Sequence, residues 1–171
     1  EVTKMSGRLE EKAILEASYF IKNKDGAVIK NAVMSGSNRW NNTYGDVTFI
    51  GCTFESSVYA LNVDSGNGTI SFIDCTFKGW SGIGAAISEV TFENCVFLGS
   101  GTYGLMRVYQ NATFKNCYFD LSNTKSTDTY PDGLSAVNGA IVTLEGCTLV
   151  YCDYEVAEGA KIIVDGTVVA Q

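Results

Sequence analysis

Short apolar segments recur along the whole chain, each with the two-residue alternation of a β-strand that has one buried face. The copy at 91–97 reads Thr-Phe-Glu-Asn-Cys-Val-Phe. Its large apolar residue, its small residue and its last apolar residue form one set, and the residues between them are polar or β-branched. Related copies occupy 28–34, 48–54, 71–77, 113–119, 143–149 and 163–169. The repeat predicts two short strands in every copy.

The fourth position of each copy is restricted to three residue types. Asn, Asp and Gly tolerate a positive φ at small cost, so a tight bend is expected between the two strands. The residues at this position are Asn31, Gly51, Asp74, Asn94, Asn116, Gly146 and Gly166. Stacking this bend from copy to copy predicts a solenoid in which equivalent side chains lie above one another.

A third short apolar run followed by a turn lies between successive copies, as at 60–63, 105–108, 134–137 and 154–156. Three strands in a coil of about 20–30 residues are typical of a parallel β-helix. A leucine-rich repeat would need a Leu/Asn consensus and a helical segment in each repeat, which the sequence lacks. We therefore predict an all-β, single-stranded parallel β-helix over residues 19–171, with about seven to eight coils.

Residues 1–18 do not show the clear repeat pattern of the rest of the chain, and two interpretations of this segment stay open. The segment 6–16 is compatible with a short amphipathic helix that caps the first coil. It is also compatible with a degenerate first coil built on Leu9, Ala13 and Leu15. The second is favoured because a β-helix needs continuous sequence to feed each turn.

The Phe-x-Asn-Cys-x-Phe units and the Asn/Gly bend column resemble right-handed parallel β-helix repeats. Such repeats are found in the pectate-lyase-like superfamily, in phage tailspikes and in bacterial surface adhesins. The resemblance covers about residues 19–169. It implies the right-handed form, which agrees with the usual hand of parallel crossovers. The fold serves lyases, hydrolases, adhesins and inert shafts, so the resemblance does not choose among them.

The amino-acid composition excludes several classes of function. The formal net charge is −7, which argues against a nucleic-acid partner because phosphate binding needs a cationic surface. The sequence contains no histidine, which excludes Ser-His, Cys-His and His-metal mechanisms. It also has no apolar run long enough for a transmembrane helix.

Five of the six cysteines occupy one position of the repeat. Thiols stacked at the strand spacing point in parallel and do not have disulfide geometry, so we expect a reduced, buried ladder. A zinc site is disfavoured because no Cys-x-x-Cys pair occurs. The ladder consists of Cys52, Cys75, Cys95, Cys117 and Cys147.

Aromatic residues fall in or beside the connections that follow the second strand of each coil. Exposed rings spaced along a solenoid suit stacking on sugars, and the alternative is that the rings seal the corners of the core. The candidates are Trp40, Tyr59, Trp80, Tyr103 and Tyr130. The longest connection, 120–133, also carries Asp120, Asp128 and Asp132, whose spacing matches no calcium loop. We expect no metal and no cofactor.

Catalysis is the alternative that the resemblance raises. A β-helix lyase needs a basic residue beside acidic groups, and Arg107, Glu89 and Glu155 are the candidates. A hydrolase needs two carboxylates at a defined separation, and no paired unit of this kind occurs in the third runs.

The function predicted from the sequence is a non-catalytic scaffold or adhesin outside the cell, at a cell surface or on a virion. Polysaccharide or cell-surface glycan is the expected ligand. The alternatives are a small polysaccharide lyase or glycoside hydrolase, or a fragment of a tailspike shaft. A seventh parallel coil would leave Val164, Thr167 and Val169 bare at the end of the core, so two alternatives stay open: the sequence is part of a longer protein, or this end docks onto the first coil of a neighbour and gives end-to-end association.

Overall fold

The computed structural model describes residues 13–16, 26–35, 39–42, 46–66, 68–83, 89–99, 106–123 and 133–171. All regular structure in these ranges is β-strand. The strands line three faces of a solenoid, which we call faces A, B and C in the order in which each repeat copy runs through them.

Face A lies before the bend of each copy. Its strands are parallel and in register, except for the last one. They are β2 (Ala27–Lys30), β5 (Val47–Ile50), β7 (Thr69–Ile73), β9 (Glu89–Glu93), β12 (Ala112–Lys115), β15 (Ile141–Glu145), β18 (Lys161–Val164) and β19 (Thr167–Ala170).

Face B follows the bend. It consists of β1 (Ala13–Glu16), β3 (Ala32–Ser35), the first part of β6 (Thr53–Gly66), the first part of β8 (Thr76–Ile83), β10 (Val96–Leu98), β13 (Tyr118–Asp120) and β16 (Thr148–Val150).

Face C corresponds to the third runs. It consists of β4 (Arg39–Asn42), the later parts of β6 and β8, β11 (Met106–Val108), β14 (Gly133–Ala136) and β17 (Asp153–Val156). Because β6 and β8 continue from face B into face C, these two faces form one 11-stranded sheet. The predicted all-β parallel β-helix with three strands in each coil is thus confirmed.

The corner between faces A and B is built by the bend column. Six of its seven residues have φ between 51° and 63°, which only Gly, Asn and Asp adopt readily. The bend amide of Asn94 donates to the Lys115 carbonyl of the next coil at 2.9 Å, and its side-chain Nδ2 donates to Asp74 Oδ1 at 3.3 Å. The hydrogen-bond ladder therefore continues around the corner from coil to coil.

Two stacks of phenylalanine rings fill the core between faces A and B. Within each stack the ring centroids lie 4.6–5.1 Å apart and the rings are nearly parallel. Rings of different stacks meet edge to face at 5.2–5.7 Å. Face A contributes Phe49, Phe72, Phe92 and Phe114, and face B contributes Phe54, Phe77, Phe97 and Phe119, all buried.

The prediction of a seventh parallel coil at 163–169 is wrong. Asp165 and Gly166 both have positive φ, 45° and 82°, and they form a two-residue turn in which Val164 pairs with Thr167. As a result, β19 runs antiparallel to β18 and lies along its outer edge. Thr167, which the repeat alignment places in the cysteine column, is exposed. The number of complete coils is therefore smaller than the sequence predicted.

Residues 13–16 form strand β1, which pairs in parallel with β3, with Ala13 opposite Ala32. The rest of segment 1–18, including Leu9, lies outside the described residues. The domain boundary at residue 18 stays a prediction.

Candidate ligand-binding site

A polar column crosses the outer side of face C. Arg107 of β11 lies opposite Ser135 of β14, which lies opposite Glu155 of β17. The neighbouring side chains Met106, Leu134 and Ala136 point into the core, so strand alternation turns Arg107 and Glu155 outward. Arg107 and Glu155 are two strands apart, a backbone separation of about 10 Å.

Ser135 is the buried member of this column. It is 7% exposed, and its hydroxyl donates to Glu155 Oε2 at 3.2 Å. A buried hydroxyl needs such a partner, so the bond fixes the Glu155 carboxylate against the sheet.

The structure does not bring the third catalytic candidate to this column. Glu89 is the first residue of β9 on face A, where it lies opposite Thr69. Face A and face C belong to different sheets. Glu89 is therefore not a member of the face C column that contains Arg107 and Glu155.

The described aromatic candidates lie in the sheet that carries face C. Tyr59 of β6 and Trp80 of β8 are direct register partners, so they occupy neighbouring positions at the corner between faces B and C. Trp40 of β4 lies opposite Val63 of β6, which follows Tyr59 on that strand. Tyr103 and Tyr130 lie outside the described residues.

Asp120, the first of the three calcium candidates, ends β13 on face B. Its Oδ1 accepts a hydrogen bond from the Ser122 amide at 3.0 Å. Hydrogen bonds from Ser122, and secondarily from Tyr118, hold the pKa of the Asp120 carboxyl below its ordinary value. Asp128 and Asp132 lie outside the described residues. Within the ranges that the structure covers, no three acidic or thiol side chains are grouped to hold a metal ion.

Comparison with known families matches residues 39–169 to the right handed beta helix region family. The match covers most of the chain and coincides with the strands of faces A, B and C. The chain belongs to the right-handed β-helix family. Comparison with the curated proteins and with the solved structures gives no match.

The cysteine ladder lies inside the β-helix, next to the bend column. Cys52, Cys75, Cys95 and Cys117 are 1–2% exposed, Cys147 is half-buried, and all are free thiols. Each thiol donates to the carbonyl of the lead apolar residue of the preceding coil at 3.4–3.6 Å; for Cys95 this acceptor is Phe72 O. The thiols thus serve as small core side chains that satisfy carbonyls at the corner.

Burial of the ladder among apolar side chains disfavours its thiolate forms. Interaction with the adjacent thiols and burial raise the pKa of Cys52, Cys95 and Cys147. Interaction with the adjacent thiols lowers the pKa of Cys75 and Cys117. Among the described residues the buried side chains are apolar apart from Ser135, so no buried cation is there to hold a thiolate. Burial also raises the pKa of Cys152, outside the ladder, to about 12.

Sequence reasoning missed two features of face C. Ser135 sits between Leu134 and Ala136 in an apolar run, and nothing in the pattern marks it as the partner of Glu155. Gly133 is the first residue of β14. Any other residue at this position would have a Cβ that collides with the Asp153 carbonyl of the next coil. A Gly beside an apolar run was the available signal for this close approach.

Proposed function

We propose that this β-helix is a non-catalytic binding module that recognises carbohydrate outside the cell, at a cell surface or on a virion. The observation that carries the proposal is the register pair Tyr59 and Trp80 at the B-to-C corner. Aromatic residues in adjacent coils are spaced by one strand separation, about 4.8 Å, which suits an extended chain of sugar rings.

The polar column of face C supports the same function. Arg107 offers hydrogen-bond donors, and Glu155 offers acceptors for sugar hydroxyls. Because Ser135 holds Glu155, part of this surface is ordered before a ligand binds, which lowers the entropic cost of binding.

A glycan array tests the proposal, with Trp80→Ala as the variant and Tyr118→Ala as the control. Tyr118 is 37% exposed on face B, so its removal deletes an exposed aromatic ring away from face C. We expect wild-type protein and Tyr118→Ala to bind the same glycans and Trp80→Ala to lose them with an unchanged melting temperature. A large fall in melting temperature for Trp80→Ala would instead identify the ring as core cover and refute the platform.

Polysaccharide cleavage is the second candidate, and its support is the shared column of Arg107 and Glu155. A lyase would release unsaturated products from uronate polymers, detectable by their ultraviolet absorbance. Activity that Arg107→Ala abolishes would replace the binding function by an enzymatic one.

Self-association through the C-terminal hairpin remains part of the proposal. Val168 and Val169 are each 45% exposed on β19, although Val164 is half-buried. Light scattering over a wide concentration range measures it, with Val169→Lys as the disrupting variant. A monomer at all concentrations would exclude this contact.

A further inference from the structure

Tyr151 has a backbone conformation that its residue type disfavours. Its φ is 50°, in the left-handed region that a bulky side chain rarely adopts. Every other described non-glycine residue with positive φ is Asn or Asp. They are Asn31, Asp74, Asn94, Asn116, Asn138 and Asp165. Backbone requirements therefore favour Asn or Gly at position 151, and the tyrosine ring must be explained by something other than the fold.

Core packing does not explain the ring either. Tyr151 is 77% exposed. It follows Val150, which pairs with Asp120, so the same position of the preceding coil is Leu121, 2% exposed. The preceding coil thus buries an apolar side chain at this corner, whereas the coil of Tyr151 presents an aromatic ring to solvent.

Two exposed carboxylates follow Tyr151 along the chain. Asp153 and Glu155 alternate outward along β17, both exposed, and Ser135 holds Glu155 Oε2. Tyr151 also lies at the B-to-C corner, the corner of Tyr59 and Trp80, three coils beyond Trp80. At the strand spacing this separation is about 14 Å.

We propose that Tyr151, Asp153 and Glu155 form a subsite for a neutral sugar ring. The tyrosine face packs on the apolar C–H face of the sugar, and the two carboxylates accept hydrogen bonds from its hydroxyls. Uronates and other acidic sugars are excluded, because their charge would meet two carboxylates on a protein of net charge −7. The subsite extends the proposed carbohydrate-binding function and rests on it for the rest of the glycan.

The experiment uses Tyr151→Asn, which removes the ring and keeps a residue suited to positive φ. Tyr118→Thr is the control, because it deletes an exposed tyrosine from a strand of face B. We expect Tyr151→Asn to unfold at the same or a higher denaturant concentration than wild type. We also expect it to bind neutral oligosaccharides about tenfold more weakly, and Tyr118→Thr to bind them like wild type.

A second measurement separates this subsite from the Tyr59–Trp80 platform. The ring signals of Tyr151, assigned by their absence in Tyr151→Asn, are followed by NMR during titration with a neutral methyl glycoside and with methyl glucuronide. Saturating shifts with the neutral sugar alone support the subsite, even if Trp80→Ala leaves binding unchanged and the platform fails. The subsite is overturned if neither sugar shifts the ring, if glucuronide binds as well, or if only Trp80→Ala weakens binding.

Discussion

The phenylalanine stacks are expected to stabilise the protein beyond the simple burial of apolar area. Phe92 is a suitable test because its ring contacts four others. It stacks on Phe72 and Phe114 at 4.9 and 4.6 Å, and it meets Phe77 and Phe97 edge to face at 5.6 and 5.3 Å. Phe92→Leu retains an apolar side chain but removes all four ring pairs.

The magnitude follows from the number of pairs. Each aromatic pair contributes about 0.5–1.5 kcal/mol beyond area burial. Losing four pairs in Phe92→Leu therefore lowers the free energy of unfolding by at most about 2–6 kcal/mol beyond the loss of buried area. The matched control is Phe119→Leu. Phe119 is equally buried, but among the described residues its ring pairs are with Phe97 and Phe114 alone, at 4.6 and 5.4 Å. Its upper limit is therefore about 1–3 kcal/mol, half that of Phe92→Leu.

Equilibrium urea unfolding followed by circular dichroism measures both losses, and equal m values would show that the same surface is exposed in each variant. Phe92→Leu is expected to lose about 1–3 kcal/mol more free energy of unfolding than Phe119→Leu, because the loss of buried area is common to both variants and cancels in the difference. Losses equal to within about 0.5 kcal/mol would show that the rings act only through their buried area, which would refute the reasoning.

Three further predictions concern the corners. The ladder thiols should not react with a thiol reagent in the native protein and should react fully after denaturation; rapid native labelling of more than one of them would contradict their burial. Asn94→Gly should leave stability nearly unchanged, whereas Asn94→Ala should cost about 1–2 kcal/mol by urea unfolding, because alanine resists a φ of 53°. Asp46 accepts a hydrogen bond from the Thr69 amide at 2.8 Å, which lowers the pKa of the Asp46 carboxyl in the folded protein. The contribution of this bond to stability is therefore complete above the pKa of Asp46 in the unfolded chain and is lost as pH falls through its pKa in the folded protein. In Asp46→Asn the amide oxygen retains the bond, so unfolding midpoints should vary less between pH 5 and pH 2, about the range over which an aspartate titrates.

The sequence predicted the repeating parts of the fold because each one depends on local chemistry. A left-handed corner needs Asn, Asp or Gly, and Asn94 and its equivalents mark that corner directly. A strand with one buried face needs alternating apolar and polar residues, and the segments around Phe92 and Phe97 show this alternation on both sides of the bend. Stacking then follows, because equivalent positions of identical units have the same environment.

The candidate site was predicted less well because it depends on departures from the repeat. Pairing of Arg107 with Ser135, and of Ser135 with Glu155, depends on register across connections of unequal length. Glu89 lies on face A and Arg107 on face C, and separating them from the sequence requires knowing to which face each short run belongs. Tyr151 carries no sequence mark of its left-handed backbone, since that conformation is fixed by the strands on either side of it.

The last copy shows why a repeat pattern can fail at its end. At 163–169 the alternation and the bend residue Gly166 match the other copies, yet the preceding residue, Asp165, also accepts a positive φ. Between β18 and β19 the two left-handed residues form the two-residue hairpin turn that Asp-Gly favours, with Val164 paired to Thr167. Asp165 further accepts the Gly146 amide at 2.8 Å, which ties the turn to the preceding coil. The outer edge of β18 is then paired with β19, so the last strand of the face A sheet is antiparallel. A single Asp-Gly pair thus replaces the parallel strand that would propagate the solenoid with the second strand of a hairpin.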